Sequence, residues 1–242
     1  MKKLAIITAL DRELAPLARD WTLATTTSQN RRVHIYESDA AIVAFAGIGV
    51  INARIAAAAA HAHANGNVAQ FISAGLAGAL GPELEVGDIV TPRLILDDVD
   101  GGQIEAASGE GTLVTASSIA GADAKRALGT RHAARAVDME AYAVADVARI
   151  YGVPFVAVKA ISDRLDFPMP PLSRFVSDTG QFQTAKFALY TAMRPWTIPT
   201  VLALGRHSAL AAARLAAHLR AIIQQHAAGL YNSSNPEIST RS

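Results

Sequence analysis

The sequence predicts an α/β protein, a three-layer α/β/α sandwich around a central mixed, mostly parallel sheet. Short apolar runs rich in β-branched residues alternate along the chain with alanine-rich stretches of helical character. The apolar runs show no polar alternation, which is typical of strands that helices cover on both faces. The 242 residues, of which 51% are hydrophobic and 18% charged, are enough for a domain with a buried core.

The first half of the chain alternates strands and helices between glycine-containing turns. Gly47-Ile48-Gly49 leads a strand directly into a helix, because glycine tolerates the backbone angles of a tight turn. Asn65-Gly66-Asn67 ends that helix. The predicted strands are 3–9, 33–37, 40–46 and 69–73, and the predicted helices are 11–19 and 50–64.

The second half continues the alternation. Asp138 is placed to cap a helix that Gly152 ends, and residues 97–111 form a polar hairpin or an exposed loop. The predicted strands are 88–96, 112–116, 133–137 and 154–161, and the predicted helices are 123–128, 138–151, 175–193 and 208–226. No repeat or linker interrupts the chain, so we predict one domain at 1–228 followed by a flexible polar tail at 229–242.

Composition and charge exclude several classes of protein. Twenty-two Lys and Arg against 21 Asp and Glu give a formal charge of +1 without a basic stripe, so no nucleic-acid partner is predicted. Cysteine is absent and the seven histidines show no ligand spacing, so no metal site is predicted. The first apolar run ends at Asp11, too early for a signal peptide, and the alanine-rich run at 53–64 is too short to span a membrane. These features predict a cytoplasmic enzyme.

Candidate functional segments lie where predicted strands end, because open α/β sheets bind ligands outside the carboxyl ends of their strands. The segments are residues 10–13, 47–52, 73–78, 137–140 and 162–163. The turn at 47–49 offers backbone N–H groups and a helix N-terminus to an anion or a sugar oxygen. The small residues at 73–78 allow a ligand to approach the backbone. Both segments are equally well explained as tight turns without a ligand.

Three carboxylates in these segments are candidates for chemistry. Glu140 lies at a helix start, where the helix dipole keeps a carboxylate ionised and able to accept hydrogen bonds from a vicinal diol. The alternative for Glu140 is an ordinary acidic residue at a helix start. Asp163 either caps the segment after its strand or points into the pocket as a proton donor. Together with Glu13, it provides the acid and base that cleavage of a glycosidic bond requires.

Six segments in order resemble the nucleoside phosphorylase and nucleosidase superfamily, most closely its methylthioadenosine/S-adenosylhomocysteine nucleosidase branch. They are Ile6-Ile7-Thr8-Ala9-Leu10-Asp11-Arg12-Glu13, Ala46-Gly47-Ile48-Gly49, Ser73-Ala74-Gly75-Leu76-Ala77-Gly78, Val86-Gly87-Asp88-Ile89-Val90, Val137-Asp138-Met139-Glu140-Ala141 and Ala160-Ile161-Ser162-Asp163. The resemblance covers roughly residues 3–166. It implies a single α/β/α domain that cleaves the N-glycosidic bond of a purine ribonucleoside, with a 5′-substituted adenosine expected and no metal or organic cofactor.

The resemblance also implies residue roles. Asp163 matches the acid that protonates the leaving purine, and Glu13 matches the carboxylate that activates water. Glu140 matches the residue that holds the ribose hydroxyls, with Met139 packed against the sugar. The substrate-binding residues expected from these matches are Glu140, Met139, Ser162, Ile48, Gly75 and Arg12. Homo-oligomerisation is implied as well.

The chain departs from the family pattern at several positions. Lys159 stands where Arg is usual, which keeps the charge and changes its geometry. Leu76 stands where many members carry a hydroxyl residue, the stretch at 92–114 is short, and the place of the aromatic residue that stacks on the purine falls near Ile119. The short middle, Leu76 and the extended end after Asp163 resemble the hopanoid-associated phosphorylase branch, thought to act on an adenosyl group carried by a lipid.

Three functional hypotheses follow. Glu13 favours water as the acceptor, and we therefore expect a nucleosidase. A phosphorylase is the first alternative, with Arg12 as a phosphate ligand; a lipid-linked adenosyl substrate would then require an apolar groove near residues 167–187. The second alternative is a nucleoside-binding homologue without catalytic activity.

Overall fold

The computed structural model describes residues 1–177 and 179–230, without the side chains of residues 12, 15 and 16. The predicted tail lies outside the described residues from 231 onward. No helix of the described part has both the length and the apolar character needed to cross a bilayer.

Strands and helices alternate as the sequence predicts. The strands are β1 (Lys3–Ile7), β2 (Thr22–Ser28), β3 (Arg31–Glu37), β4 (Ala41–Phe45), β5 (Val68–Ala79), β6 (Ile89–Val90), β7 (Leu94–Asp97), β8 (Gln103–Glu105), β9 (Thr112–Thr115), β10 (Ala136–Asp138) and β11 (Phe155–Asp163). The α-helices are α1 (Asp11–Ala18), α2 (Val50–His63), α3 (Ala122–His132), α4 (Ala141–Tyr151), α5 (Thr184–Ala192) and α6 (Ile198–Ala227). Two 3₁₀ turns, Leu172–Phe175 and Pro195–Thr197, flank α5.

All the strands belong to one mixed sheet with the order β2-β3-β4-β1-β5-β10-β9-β7-β8, and β11 pairs with both β5 and β6. The central pairings β4–β1, β1–β5 and β5–β11 are parallel. Antiparallel pairing occurs in the outer hairpins and where β10 meets the end of β5. The predicted mixed sheet is confirmed. Its parallel centre brings the carboxyl ends of β1, β5 and β11 to one edge.

Helices cover both faces of the sheet, which confirms the predicted three layers. Alternate residues of β1 point to opposite faces: Ile7 packs in the core with α2 and α4, and Ile6 packs in the core with α1 and α6. Helix α2 contributes five buried alanines to the first core. Their small side chains explain why α2 and α4 lie against each other on this face.

The prediction of a turn at 73–78 is wrong, because β5 continues through Ala79. The small side chains of this segment allow β11 to pair along it, with Lys159 opposite Gly75 and Asp163 opposite Gly78. The segment is therefore the last part of β5, paired with the end of β11, and does not form a loop beyond the sheet.

Other differences lie at the edges of the fold. The predicted strand at 88–96 is divided into β6 and β7, with Pro92, which has no N–H for a ladder hydrogen bond, between them. The threonine-rich β2 was not predicted, and it pairs with β3 at the edge of the sheet. Helix α6 starts at Ile198, well before the predicted position 208. Pro199 does not prevent this start, because it lies in the first turn, where proline is tolerated.

Candidate functional site

A cavity of about 550 Å³ opens at the carboxyl ends of the central strands. One part of its wall comes from the ends of β1, β5 and β11 and from the start of α4. The remaining part comes from α3 and from the late segment that contains α5 and α6. Six residues expected to bind substrate or catalyse its reaction line this one cavity: Glu13, Ile48, Met139, Glu140, Ser162 and Asp163.

Two expected binding residues, Gly75 and Arg12, are not among the described residues that line the cavity. Gly75 lies behind the site, where an added Cβ would be 3.4 Å from Glu13 Oε2 and 3.6 Å from Lys159 Nζ. The side chain of Arg12 lies outside the part of the chain that the structure describes.

Glu13 is held at the mouth of β1 by the turn into α1. Its backbone N–H donates to the carbonyl of Leu10, and only 9% of the residue is exposed to solvent. Thr8 at the end of β1 donates its hydroxyl hydrogen to Glu13 Oε2 at 2.5 Å. This hydrogen bond fixes the orientation of the carboxylate toward the cavity.

Asp138 and Glu140 occupy the junction of β10 and α4. Asp138 Oδ2 accepts the backbone N–H of Ala141, the first residue of α4, at 2.8 Å, so Asp138 satisfies an N–H of the helix start, although the N-cap position itself is occupied by Glu140. Thr115 Oγ1 donates to the other oxygen, Oδ1, at 2.8 Å. Glu140 is the residue directly before the helix, and its Oε1 accepts the backbone N–H of Gly49 at 2.9 Å. The carboxylate of Glu140 therefore joins the start of α4 to the turn before α2.

The cavity raises the pKa of Glu140 to about 7. Burial is the largest cause, and the neighbouring charges of Asp138 and Glu13 act in the same direction. The charge of Lys159 and the hydrogen bond from Gly49 oppose the shift without cancelling it. A carboxyl group with this pKa is only about half ionised near neutral pH, because desolvation offsets the helix dipole that was expected to keep Glu140 ionised.

Lys159 lies beneath these carboxylates, with 1% of the residue exposed. Its ammonium group is 2.8 Å from Asp138 Oδ2 and donates to Ser73 Oγ at 3.0 Å. A buried charge of this kind requires a partner, and Asp138 supplies it. The lysine that replaces the usual arginine therefore fixes the junction of β10, β5 and β11 from below.

Asp163 ends β11 and is paired with a residue that the sequence did not single out. Lys125 of α3 forms a buried ion pair with Asp163 Oδ2 and also donates to the carbonyl of Arg164 at 2.7 Å. Ser162 donates its hydroxyl hydrogen to Asp163 Oδ1 at 2.6 Å. Asp163 lines the cavity rather than capping the next segment, so the second of its two expected orientations is the observed one.

The turn at 47–49 is bound to a loop from the late segment. Ile48 donates its N–H to the carbonyl of Gly180 at 2.9 Å, and Asn52 donates to the carbonyls of Ile48 and Thr179 at 2.9 and 3.0 Å. Gly180 has φ +75°, and a Cβ there would lie 2.0 Å from Asn52 Nδ2. Only glycine therefore permits this contact, which places the loop and Phe182 against the cavity.

The rest of the wall is apolar. Met169, Leu172, Phe182 and Phe187 come from the segment around α5, and α6 adds Val201 and Leu204. At the end near Asp163, Ile119 lines the cavity together with Ser118 and Ala120. The groove expected near residues 167–187 is thus present, and an aliphatic side chain occupies the place expected for the stacking aromatic residue.

Charge is distributed unevenly over the described lining. Four carboxyl groups, of Glu13, Asp138, Glu140 and Asp163, face one ammonium group, that of Lys125. Asp163 is neutralised by Lys125, and Asp138 by Lys159 from below. Beyond these two pairs, the described lining holds the carboxyl groups of Glu13 and Glu140. Such a site stabilises a cation that develops on a bound sugar, provided an acid is available for the leaving group.

Comparison with known proteins supplies the family. The model of the family described as the Phosphorylase superfamily matches residues 3–114 and 100–224. No curated protein sequence matches the chain.

Solved structures agree with this fold. S-adenosylhomocysteine nucleosidase from Streptococcus pyogenes, in complex with 5-methylthiotubericidin, is 19% identical with a TM-score of 0.67 over 96% of this chain and 98% of that one. The nucleosidase from Neisseria meningitidis bound to methylthio-immucillin-A has 20% identity and a TM-score of 0.65 over 89% and 96%. Futalosine hydrolase of Helicobacter pylori has 19% identity and a TM-score of 0.64 over 88% and 95%.

Proposed function

The chain belongs to the phosphorylase superfamily and is an enzyme of its nucleoside-cleaving class, and on that premise we propose that it releases a purine, adenine first among them, from a 5′-substituted ribonucleoside. The observation that carries the proposal is the convergence of Glu13, Glu140 and Asp163 on one cavity. These residues are far apart in the sequence, and a role confined to the fold gives no reason for three carboxyl groups to share a cavity.

In the proposed reaction, the bond from the anomeric carbon to the purine breaks and its electron pair leaves with the base. A proton passes from the Asp163–Lys125 pair to a ring nitrogen of the purine, and a water oxygen bonds to the anomeric carbon. Glu13 accepts the proton that the water loses. Positive charge on the sugar is greatest in the transition state, so the carboxylate of Glu13, together with the ionised form of Glu140, stabilises that state more than the bound substrate.

The pairing of Asp163 with Lys125 supports the proposal that these two residues supply the proton to the leaving purine. Lys125 provides a proton donor within a pair that is almost fully buried, with 1% and 6% of the two side chains exposed. Burial makes such a pair responsive to a ligand that competes for its hydrogen bonds. A purine nitrogen placed beside Asp163 is a ligand of that kind.

The ribose belongs beside Glu140 and Met139 in this proposal. Glu140 Oε1 is already fixed by the N–H of Gly49, so the carboxyl group is oriented before substrate arrives. Its two oxygens have lone pairs for a vicinal diol. A sugar bound there has its base toward Asp163 and its 5′ position toward the apolar wall.

Charge favours water over phosphate as the acceptor. The described lining has four carboxyl groups and a single ammonium group, which is already paired with Asp163. The described cations of the site are already paired, Lys125 with Asp163 and Lys159 with Asp138, so a phosphate dianion finds no free positive charge on them, whereas water requires none. We therefore propose a nucleosidase.

The alternative, a phosphorylase for an adenosyl group on a lipid, is favoured by one observation. Six apolar side chains of the late segment line the cavity beyond the sugar position. These side chains suit an apolar 5′ substituent larger than a methylthio group, because each buried methylene contributes about 0.8 kcal/mol to binding.

The test is release of free purine from adenosine, methylthioadenosine, adenosylhomocysteine and a 5′-alkyl adenosine, each with and without phosphate. Asp163→Asn should lower kcat by at least about 100-fold. Asp166→Asn is the matched control, since that side chain is 75% exposed three residues further on, and it should retain the wild-type rate.

Each other outcome has a defined meaning. Undiminished turnover in Asp163→Asn, with native stability, overturns the proposed acid. A rate that rises in proportion to phosphate replaces water by phosphate as the acceptor. Calorimetric binding of the nucleosides without purine release over hours identifies a non-catalytic homologue instead.

A further inference from the structure

The outer surface of the late segment exposes several large apolar side chains. Leu189, Met193, Trp196 and Leu202 are 64%, 68%, 73% and 55% exposed, and Ile198 is 39% exposed. They come from α5, from the 3₁₀ turn after it and from the first turns of α6, three consecutive elements that pack against one another. We call these five residues the late-helix patch. Single exposed apolar residues are ordinary, but a cluster of them marks an interaction surface.

Helix periodicity separates this patch from the cavity. Leu189 and Met193 are four residues apart, as are Ile198 and Leu202, so each pair shares a face of its helix. The cavity-lining residues Phe187 on α5 and Leu204 on α6 lie at other positions of the helical turn, and Val201, three residues after Ile198, lies between the two faces of α6. Both helices are therefore apolar on the inside and on the outside, although only the inner faces belong to the site.

The mouth of the cavity lies beside the late-helix patch. Of the four described lining residues that are exposed to solvent, Thr184, Gly205 and Ala209 lie on this side and Ser118 lies in the segment before α3. The first three belong to the same two helices, α5 and α6, that carry the patch. Whatever covers the patch thus lies next to the opening through which a ligand enters.

The elements that carry the patch have charge of one sign. Lys186, Arg194 and Arg206 lie on or between α5 and the first half of α6, and neither helix contains Asp or Glu. Lys186 and Arg206 are exposed and have no ion pair among the described residues, and Arg194 lies 4.2 Å above the ring of Tyr190. This surface combines apolar side chains with an uncompensated positive field.

We propose that the late-helix patch docks on the surface of an anionic lipid bilayer. An exposed tryptophan, aliphatic side chains on one helix face and flanking Lys and Arg are the features of segments that lie in the interface of a membrane without crossing it. A second copy of the chain is the other candidate occupant. It fits less well, because a two-fold contact brings identical patches together and would oppose Lys186 and Arg206 with further positive charges.

Docking in this way orients the cavity mouth toward the lipid. The inference goes beyond the proposed function and does not depend on it, since none of the five patch residues lines the cavity. Loss of purine release in the assay above would leave the docking surface unaffected.

Tryptophan fluorescence reports on the patch directly. The chain has two tryptophans, Trp21 and Trp196, so Trp21→Phe leaves Trp196 as the sole emitter. Vesicles of equal parts phosphatidylglycerol and phosphatidylcholine should shift its emission to the blue and carry the protein down on centrifugation. Vesicles of phosphatidylcholine alone should do so much more weakly, because the electrostatic contribution is missing.

Variants separate the contributions. Met193→Ser with Trp196→Ser should weaken cosedimentation with the anionic vesicles by at least about tenfold. Lys186→Gln and Arg206→Gln should each weaken it about fivefold, the equivalent of about 1 kcal/mol per charge. The matched controls are Val99→Ser and Arg126→Gln, which alter an exposed valine (68%) and an exposed arginine side chain (53%) elsewhere.

Three results overturn the proposal. The first is absence of binding to the anionic vesicles. The second is binding that the controls reduce as much as the patch variants do. The third is a dimer, measured by light scattering, that Met193→Ser with Trp196→Ser converts to a monomer, since the patch is then the contact between two copies.

Discussion

Replacement of Glu140 by Gln tests the electrostatics of the cavity. The pKa of Glu140 is raised from 4.5 to about 7 because burial and the charges of Asp138 and Glu13 disfavour its ionised form. Each pKa unit corresponds to 1.36 kcal/mol. Well above pH 7, the ionised carboxylate therefore reduces the free energy of unfolding of the ligand-free enzyme by up to about 3 kcal/mol.

The sign of the pH dependence follows from proton binding. Between pH 4.5 and about 7 the folded state holds a proton on Glu140 that the unfolded state has lost, so wild-type stability falls as the pH rises through this range. Glutamine has no such proton, and its side-chain oxygen can still accept the N–H of Gly49. The stability of Glu140→Gln relative to wild type should thus increase by about 2 to 3 kcal/mol between about pH 5 and about pH 8.5.

Urea unfolding of the two ligand-free proteins across this pH range measures the difference. Glu83→Gln is the control, because its side chain is 56% exposed and its removal should leave the pH dependence unchanged. If the curves for wild type and Glu140→Gln run parallel, Glu140 has an ordinary pKa and the account of the cavity given above is wrong. The same variant should lose affinity for the ribonucleoside, since an amide accepts fewer hydrogen bonds from a diol than a carboxylate does.

Two further predictions concern the support of the site. Lys159→Met leaves Asp138 buried without its partner at 2.8 Å, and urea unfolding should show a loss of about 3 to 5 kcal/mol; a loss below about 1 kcal/mol would mean that the pair adds little. Gly180→Ala forces a Cβ to 2.0 Å from Asn52 Nδ2 at a positive φ, so it should destabilise the fold by more than about 1 kcal/mol and raise KM. Gly101→Ala, with φ +69° and no heavy atom within 4 Å, should show the backbone strain alone, and equal losses in the two variants would exclude the close contact as a cause.

The sequence predicts the location of the site because one rule depends only on local pattern. Buried strands without polar alternation imply a parallel centre, and parallel strands bring their carboxyl ends to one edge. That reasoning places Glu13 and Asp163 near one another before any contact is known, whereas Glu140 follows β10, which pairs antiparallel with the end of β5, so the rule alone does not account for its position. The structure agrees, in that all three line one cavity.

Contacts between distant segments could not be predicted in this way. Lys125 is 38 residues from Asp163, and nothing in its local sequence distinguishes it from a solvated helix residue. The interpretation of 73–78 as a turn failed for a related reason. Glycine and alanine do signal turns locally, but here they allow β11 to lie close along β5, which is a property of two segments together.

The raised pKa of Glu140 is a third such case. The helix start is visible in the sequence and favours an ionised carboxylate. The opposing effect arises from burial and from the carboxylates of Asp138 and Glu13, whose proximity only the fold creates.

The two parts of the cavity wall differ in how freely they can change. Asp163 ends the central strand β11, and Glu13 and Glu140 lie at the starts of α1 and α4, directly after β1 and β10. Phe187, Val201 and Leu204 belong to helices at the periphery that contain few fully buried residues before Ala211. Substitutions on these helices can therefore change the shape of the apolar wall while Glu13, Glu140 and Asp163 keep their positions.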